Sequence, residues 1–174
     1  MSRSSFQQFH WHSQQFGCAS NDIDCFYQLL QQQVQRLAMT KQTLGEIAAY
    51  PLDLYQSAEP QADKANILIS AGFHGEEAAG PWGMLKFLSQ LENDIFSQIN
   101  LSVLPLVNPT GFKAGHRFNQ FGENPNRGFA VEDGQAVVSE ESSVEGKLLI
   151  AHQDLLKTLS RDGILTCHED VLQH

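Results

Sequence analysis

Basic residues are scarce in this chain: 11 Lys and Arg stand against 20 Asp and Glu, for a formal net charge of -9. A phosphate backbone calls for a cationic surface, so no nucleic-acid partner is expected. Long hydrophobic runs are missing too. Nothing approaches the ~18 apolar residues of a membrane span, and the opening Met1-Ser2-Arg3-Ser4-Ser5-Phe6 lacks the apolar core of a secretion signal. Cysteine is rare, and Cys18, Cys25 and Cys167 form no CxxC pair, so neither a disulfide framework nor a thiolate metal site is indicated. These absences lead to the expectation of a cytoplasmic protein without a membrane partner. Familiar catalytic signatures are absent as well. There is no HExxH, its inverted form HxxEH fails at Ala78, and neither a GxSxG elbow nor a phosphate-binding P-loop occurs.

What is present suits a single soluble unit: 174 residues, 41% hydrophobic and 18% charged, enough to bury a core. One stretch organises it. Ile67-Leu68-Ile69-Ser70-Ala71 reads as a buried strand, broken by Gly72. His74 and Glu77 follow, and Pro81 with Trp82, Leu85, Leu88 and Leu91 marks a helix reaching about Glu92. Open α/β sheets bind ligands beyond the carboxyl ends of their strands, so this His and Glu stand where a ligand site is expected.

Upstream, residues 1–42 read as an N-terminal segment with a packing helix, and residues 43–174 as the main α/β unit. His10-Trp11-His12 would put two imidazoles on one face of a strand, but the plainer reading is an irregular segment anchored by Trp11. Asn21 or Asp22 can cap a helix whose apolar face is Ile23, Phe26, Tyr27, Leu30, Val34 and Leu37. Residues 43–57, split by Gly45 and Pro51, read as one or two strands, with an edge hairpin as the two-strand form. Ile99 to Val107 gives the next strand and ends at a turn signal, Asn108-Pro109.

Residues 108–138 show no clear period, and a loop that long in a compact domain is usually functional. Glu140 to Leu159 reads as one helix with Val144, Leu148, Ala151, Leu155 and Leu159 on a face. Ile164-Leu165-Thr166-Cys167-His168 is a second short strand with a histidine at its end. If the two strands are parallel neighbours, His74 and His168 reach the same rim. Two imidazoles and a carboxylate with an open fourth position is a catalytic zinc arrangement. Other divalent ions also accept such donors.

The long loop completes a pattern: Asn108-Pro109-Thr110-Gly111-Phe112, then Arg117, then Asn126-Arg127-Gly128-Phe129. With His74-Gly75-Glu76-Glu77 and Cys167-His168-Glu169, the chain from about residue 43 onward resembles the zinc carboxypeptidases and their relatives, the aspartoacylase and succinylglutamate desuccinylase group. The resemblance implies an α/β fold with a mixed, largely parallel sheet flanked by helices. It implies one zinc ion held by His74, Glu77 and His168, with Arg117 polarising the scissile carbonyl and Asn126 and Arg127 holding a free carboxylate. The expected activity is hydrolysis of an amide bond next to that carboxylate by metal-activated water. The substrate would be a peptide or, in the alternative, an N-acyl amino acid; a further alternative is a catalytically inactive metal- or ligand-binding module. Gly115-His116-Arg117, followed soon by Asn126-Arg127, leans slightly toward the deacylase branch.

Two departures stand out. Asn124-Pro125 replaces the Asp-Leu that usually precedes Asn-Arg in the family. The chain also ends soon after His168, before the region that carries the family's substrate-contacting tyrosine and general-base glutamate. The expectation is therefore a truncated piece of the fold, with an unpaired sheet edge that invites association into oligomers. No acid here takes the base's role by motif, although Glu76, Glu123 and Glu169 are near enough in sequence to be considered.

Overall fold

A computed structural model describes residues 11–169. Five strands form a mixed sheet in the order β1-β2-β4-β3-β7: β1 (Thr40–Ile47), β2 (Tyr50–Gln56), β3 (Ala65–Ala71), β4 (Ile99–Leu104) and β7 (Gly163–Cys167). β3 runs parallel to both β4 and β7, whereas β1 and β2 add to the β4 side as antiparallel strands. A separate hairpin, β5 (Phe129–Glu132) and β6 (Gln135–Val138), lies within the stretch that reads as a loop in sequence.

Two apolar clusters sandwich the sheet. On one face, α2 (Ile23–Arg36) and α3 (Ala79–Gln90) pack Phe26, Leu30, Trp82 and Leu85 against Leu101 and Val103 of β4. On the other, α5 (Val144–Ala151) and α6 (Gln153–Leu159) bring Leu149, Leu155 and Leu156 over Leu68 and Leu104. Leu101 and Val103 face one way and Leu104 the other, as the alternation of a strand requires. Fully burying side chains of this kind contributes roughly 1.5–3 kcal/mol each. The chain leaves β3 through α3 to reach β4 on one side, and comes back through α5 and α6 to β7 on the other. The carboxyl end of β3 therefore lies where the connections diverge, the usual ligand crevice of such sheets.

Several local expectations change in the structure. Trp11–Gln15 is a short helix, α1, rather than an irregular or extended segment, while His10 lies outside the described residues. Asp22 caps α2, accepting a bond from Cys25 N at 3.0 Å, which leaves Asn21 free to reach Phe112 O at 2.7 Å. Cys18 and Cys25 form a disulfide, with Cα atoms 6.3 Å apart, so the odd cysteine count hid a pair closed across the turn that enters α2. The hairpin turn between β1 and β2 is made by Ala48 and Ala49, both at positive φ, with no Gly or Asn to announce it. Gly45 instead marks a register shift, where a Cβ would meet the Leu148 side chain at 2.5 Å.

Asn108-Pro109 is the start of a helix, α4 (Pro109–Ala114), not only a turn. Asn108 caps it and proline sits at its first position, where no N–H is needed. The single helix expected over 140–159 is two, α5 and α6, joined at His152, whose Nδ1 lies 2.9 Å from Leu148 O. β7 is an edge strand among the described residues, and Ile164 and Leu165 on it are exposed.

Two glycines on either side of the β3 crevice should behave oppositely. A Cβ on Gly75 would lie 1.9 Å from Gly111 C, against rigid backbone, whereas Gly83 in the middle of α3 has nothing within 4 Å. Gly75→Ala should cost about 2 kcal/mol or more by overpacking, and Gly83→Ala should stabilise by about 0.5–1 kcal/mol through the unfolded state. Chemical denaturation of the two variants beside the parent chain checks both signs.

Candidate metal centre

The parallel register of β3 and β7 sets Ala71 opposite Cys167. Gly72, at φ 70°, then turns the chain out of β3, and the next side chains cross the rim of the sheet. Its conformation is fixed on the far side by Asn108 N, which donates to Gly72 O at 2.8 Å. His74 and Glu77 follow on the short segment before α3, and His168 follows β7 directly.

The three meet. His74 Nδ1 lies 2.7 Å from Glu77 Oε1, and His168 Nδ1 lies 2.7 Å from Glu77 Oε2. Donor atoms of the three residues all lie within 4.8 Å of one another, a group that could hold a metal ion. His74 and Glu77 are buried, and His168 is the exposed member. Burial pushes the Glu77 carboxyl up, but hydrogen bonds from His168, His74 and the backbone N–H of Glu169, with the charge on His74, leave it below the ordinary carboxylate range. The carboxylate is thus kept ionised, the form a metal needs. Two imidazoles and one ionised carboxylate fit zinc, and they leave room for a fourth ligand.

Other polar groups shape the rim. Arg117 Nη1 donates to Glu76 Oε1 at 2.9 Å and stands 3.5 Å from Glu77 Oε1, which puts the guanidinium at the edge of the three-residue group. Asn124 Oδ1 is 3.2 Å from His74 Nε2, so the departure from the family's usual aspartate places an amide oxygen against the first histidine. An amide oxygen still accepts from the ring and fixes its orientation, without the aspartate's charge. Asn126 and Arg127 lie on the same segment. Their side chains are exposed and have no hydrogen-bond or ion-pair partner among the described residues.

Sequence reasoning named Asn108 as a turn and motif residue but gave it no role in joining these parts. Asn108 is fully buried; its amide donates to Phe73 O and to Arg117 O, both at 3.3 Å, and its oxygen accepts from Gly111 N at 2.8 Å. One side chain thus ties the end of β3, the start of α4 and the arginine together. Its signal was the Asn-Pro pair, which serves equally as a turn and as a helix start. Of the three acids considered as a base, none is free. Glu76 holds Arg117, Glu169 Oε2 accepts from Ala79 N at 3.2 Å at the start of α3, and Glu123 is engaged with Asn119 and with Val144 N.

A sequence model of the succinylglutamate desuccinylase/aspartoacylase catalytic domain matches residues 63–159. No curated protein matches the chain. Among solved structures, a Shewanella amazonensis SB2B protein provisionally named a metallopeptidase shares 57% identity at a TM-score of 0.91, over 95% of this chain and 62% of its own. A Shewanella baltica OS155 protein with the same provisional name shares 58% identity at a TM-score of 0.91, over 98% of this chain and 64% of its own. Bovine thrombin-activatable fibrinolysis inhibitor, at 18% identity and a TM-score of 0.64, covers 85% of this chain and 60% of its own, and shares the fold. This chain spans under two thirds of the length of these proteins. No helix among the described residues is long and apolar enough to cross a membrane.

Metal binding is directly testable. The chain should bind about one zinc in calorimetric titration, and His74→Ala and His168→Ala should each abolish stoichiometric binding, since two protein ligands leave the coordination incomplete. Full occupancy in either variant would remove that residue from the centre.

Proposed function

Because the chain belongs to the succinylglutamate desuccinylase/aspartoacylase catalytic-domain family, we propose that it carries the metal-holding part of a hydrolase that cleaves an amide bond next to a free carboxylate. The observation that carries this reading is the meeting of His74, Glu77 and His168, with Arg117 at its edge. His74, Glu77 and His168 would hold the ion. A zinc bound there would supply Lewis acidity to the scissile carbonyl and make a water nucleophilic near neutral pH.

The chain's own residues do the rest. Arg117, moving off Glu76 by a small side-chain rotation, offers a guanidinium to the oxygen on which negative charge develops. Preorganised donors of that kind contribute on the order of 3 kcal/mol. Glu76 keeps that guanidinium at the rim between turnovers. Arg127 presents a planar fork that suits a carboxylate through two parallel bonds, and Asn126 adds an amide beside it. Their exposed, unpartnered side chains are in the state expected of groups that await a ligand.

Both a peptide with a free C-terminus and an N-acyl amino acid meet this description. The family match favours the second and the provisional names of the Shewanella proteins favour the first. A catalytically inactive module that binds ligand without turnover is supported by one observation: Glu76, Glu123 and Glu169 are all engaged elsewhere.

Paired assays on a C-terminal dipeptide reporter and on an N-acetyl amino acid, run on the full-length gene product with zinc, decide among these. Hydrolysis of one substrate class names the activity, and inactivity on both with ligand binding retained supports the inactive module. In an active protein, Arg117→Ala should lower kcat by about 10²–10³-fold. Arg127→Ala should instead act mainly on KM, raising it on the order of tenfold, because the carboxylate contact is the same in ground and transition states.

A further inference from the structure

No residue of the segment bearing Asn126 and Arg127 belongs to either apolar core cluster, although Pro125 on it is buried. Phe121 on it is exposed, and so are Asn126 and Arg127 themselves. Its attachment is instead a polar one, built around a carboxyl group with no exposed surface at all, Glu145 in the first turn of α5. Burying a carboxyl is costly unless it is bonded. Burial does push the Glu145 carboxyl above its ordinary range, and its Oε1 has no hydrogen-bond partner among the described residues. The Glu145 backbone N–H, Asn119 and Ser143 offset part of that shift. Glu145 Oε2 accepts from Asn119 Nδ2 at 2.8 Å.

Asn119 is saturated by its surroundings. Its second amide hydrogen goes to Glu123 Oε2 at 2.8 Å, and its oxygen accepts from Phe121 N and Glu123 N, both at 3.0 Å. That makes two donated and two accepted bonds, the full capacity of a primary amide. Glu123 Oε2 in turn accepts from Val144 N at 3.0 Å, the first residue of α5, so the segment docks on the start of that helix from two directions. The next residue, Asn124, touches His74, and Asn126 and Arg127 follow. The far end is held as well: Gly128 O accepts from Ser142 Oγ and Ser139 Oγ.

We propose that Glu145 is a positioning residue which, through Asn119 and Glu123, holds segment 119–127 on α5 and so fixes where Asn126 and Arg127 stand relative to His74. The part concerning substrate rests on the function proposed above; the part concerning the segment does not. Glu145 is not one of the residues of the candidate metal group. An apolar residue of similar volume at 145 would fill the same space and keep α5 packed, yet it would leave an Asn119 N–H orphaned and release the segment.

Hydrogen exchange on the full chain, with zinc present, tests the anchoring without any assay of activity. In Glu145→Met, backbone exchange over 119–128 should rise on the order of tenfold, while exchange in β3 and β4 stays at the parent level. Glu145→Gln retains an oxygen acceptor for Asn119 and should restore the parent pattern. Should Glu145→Met not fold, Asn119→Ser shortens the bridge from the other side and is read in the same way. Unchanged exchange over 119–128, or an equal rise across the whole sheet, would overturn the proposal. The substrate half is read in the substrate class that the parent protein hydrolyses. KM in Glu145→Met should rise on the order of tenfold with kcat little changed, and Glu145→Gln should rescue it. A parent protein inactive on both substrate classes would sink the function proposed above while leaving the exchange result to decide the anchoring.

Discussion

A buried carboxylate between two imidazoles governs the architecture of this chain. Glu77 is held ionised at 5% exposure chiefly by His168 and His74, each 2.7 Å from a different carboxylate oxygen, with help from the Glu169 N–H. Those two histidines are far apart in sequence, and nothing local brings them together. What does is the parallel pairing of β3 with β7, in which Ala71 stands opposite Cys167. A slip of one residue would turn every side chain of β7 to the other face and take His168 with it. The sheet register is therefore part of the site, and so are the residues that enforce it. Ser70 and Thr166 exchange a hydroxyl bond at 3.1 Å across the pair, and Asp162 accepts from Asn66 N at 2.8 Å where the pairing begins.

Around this centre the chain adds buried amides to apolar contacts to hold its loops. Asn108 bonds the end of β3 to α4 and Arg117, and Asn119 bonds the segment 119–123 to α5. A primary amide offers two donors and two acceptor positions in one plane, so a single side chain can satisfy several loop groups that water would otherwise have to reach. Aliphatic side chains could hold these loops near the sheet but could not fix the direction in which a guanidinium points. Directional bonds can, and the loops that need direction are the ones that have them.

The parts of this arrangement differ in how far they could be read from the sequence. β3 with its apolar run, the α2 stripe from Ile23 to Val34, and the two strand-end histidines were legible, because period and termination signals survive in one dimension. The pairing of His74 with Glu77 was legible as spacing, and that of His168 with both as a consequence of parallel neighbours. The Ala48-Ala49 turn was not, since alanine carries no turn preference and its positive φ is imposed by the register of the hairpin around it. Nor was the β5–β6 hairpin, whose residues are mostly exposed or half-buried and so lack a clean alternation. The Cys18–Cys25 pair escaped because a count of cysteines says nothing of which two a turn brings together. Glu145 fell within the helix expected over 140–159 and was not among its apolar face, so the sequence carried no sign of its burial. Its burial depends on Asn119, and no spacing rule connects the two.

On the function proposed above, the charge distribution gives anchoring more weight than attraction. The protein carries a net charge of -9, so at long range it repels a carboxylate ligand. Salt screens that repulsion beyond roughly 8 Å, and inside that distance the local sign is set by individual residues. Lys113, Arg117 and Arg127 fall in one stretch of a chain otherwise poor in cations. Glu76 offsets part of that charge by pairing with Arg117. If the substrate carries a carboxylate, as proposed, its selection would rest on contact geometry, in which a guanidinium fork is worth most when it is already in place. An exposed arginine on a mobile loop would lose much of that advantage to the entropy of ordering it. On the anchoring proposed above, a polar clamp on the loop's base would supply that order beforehand.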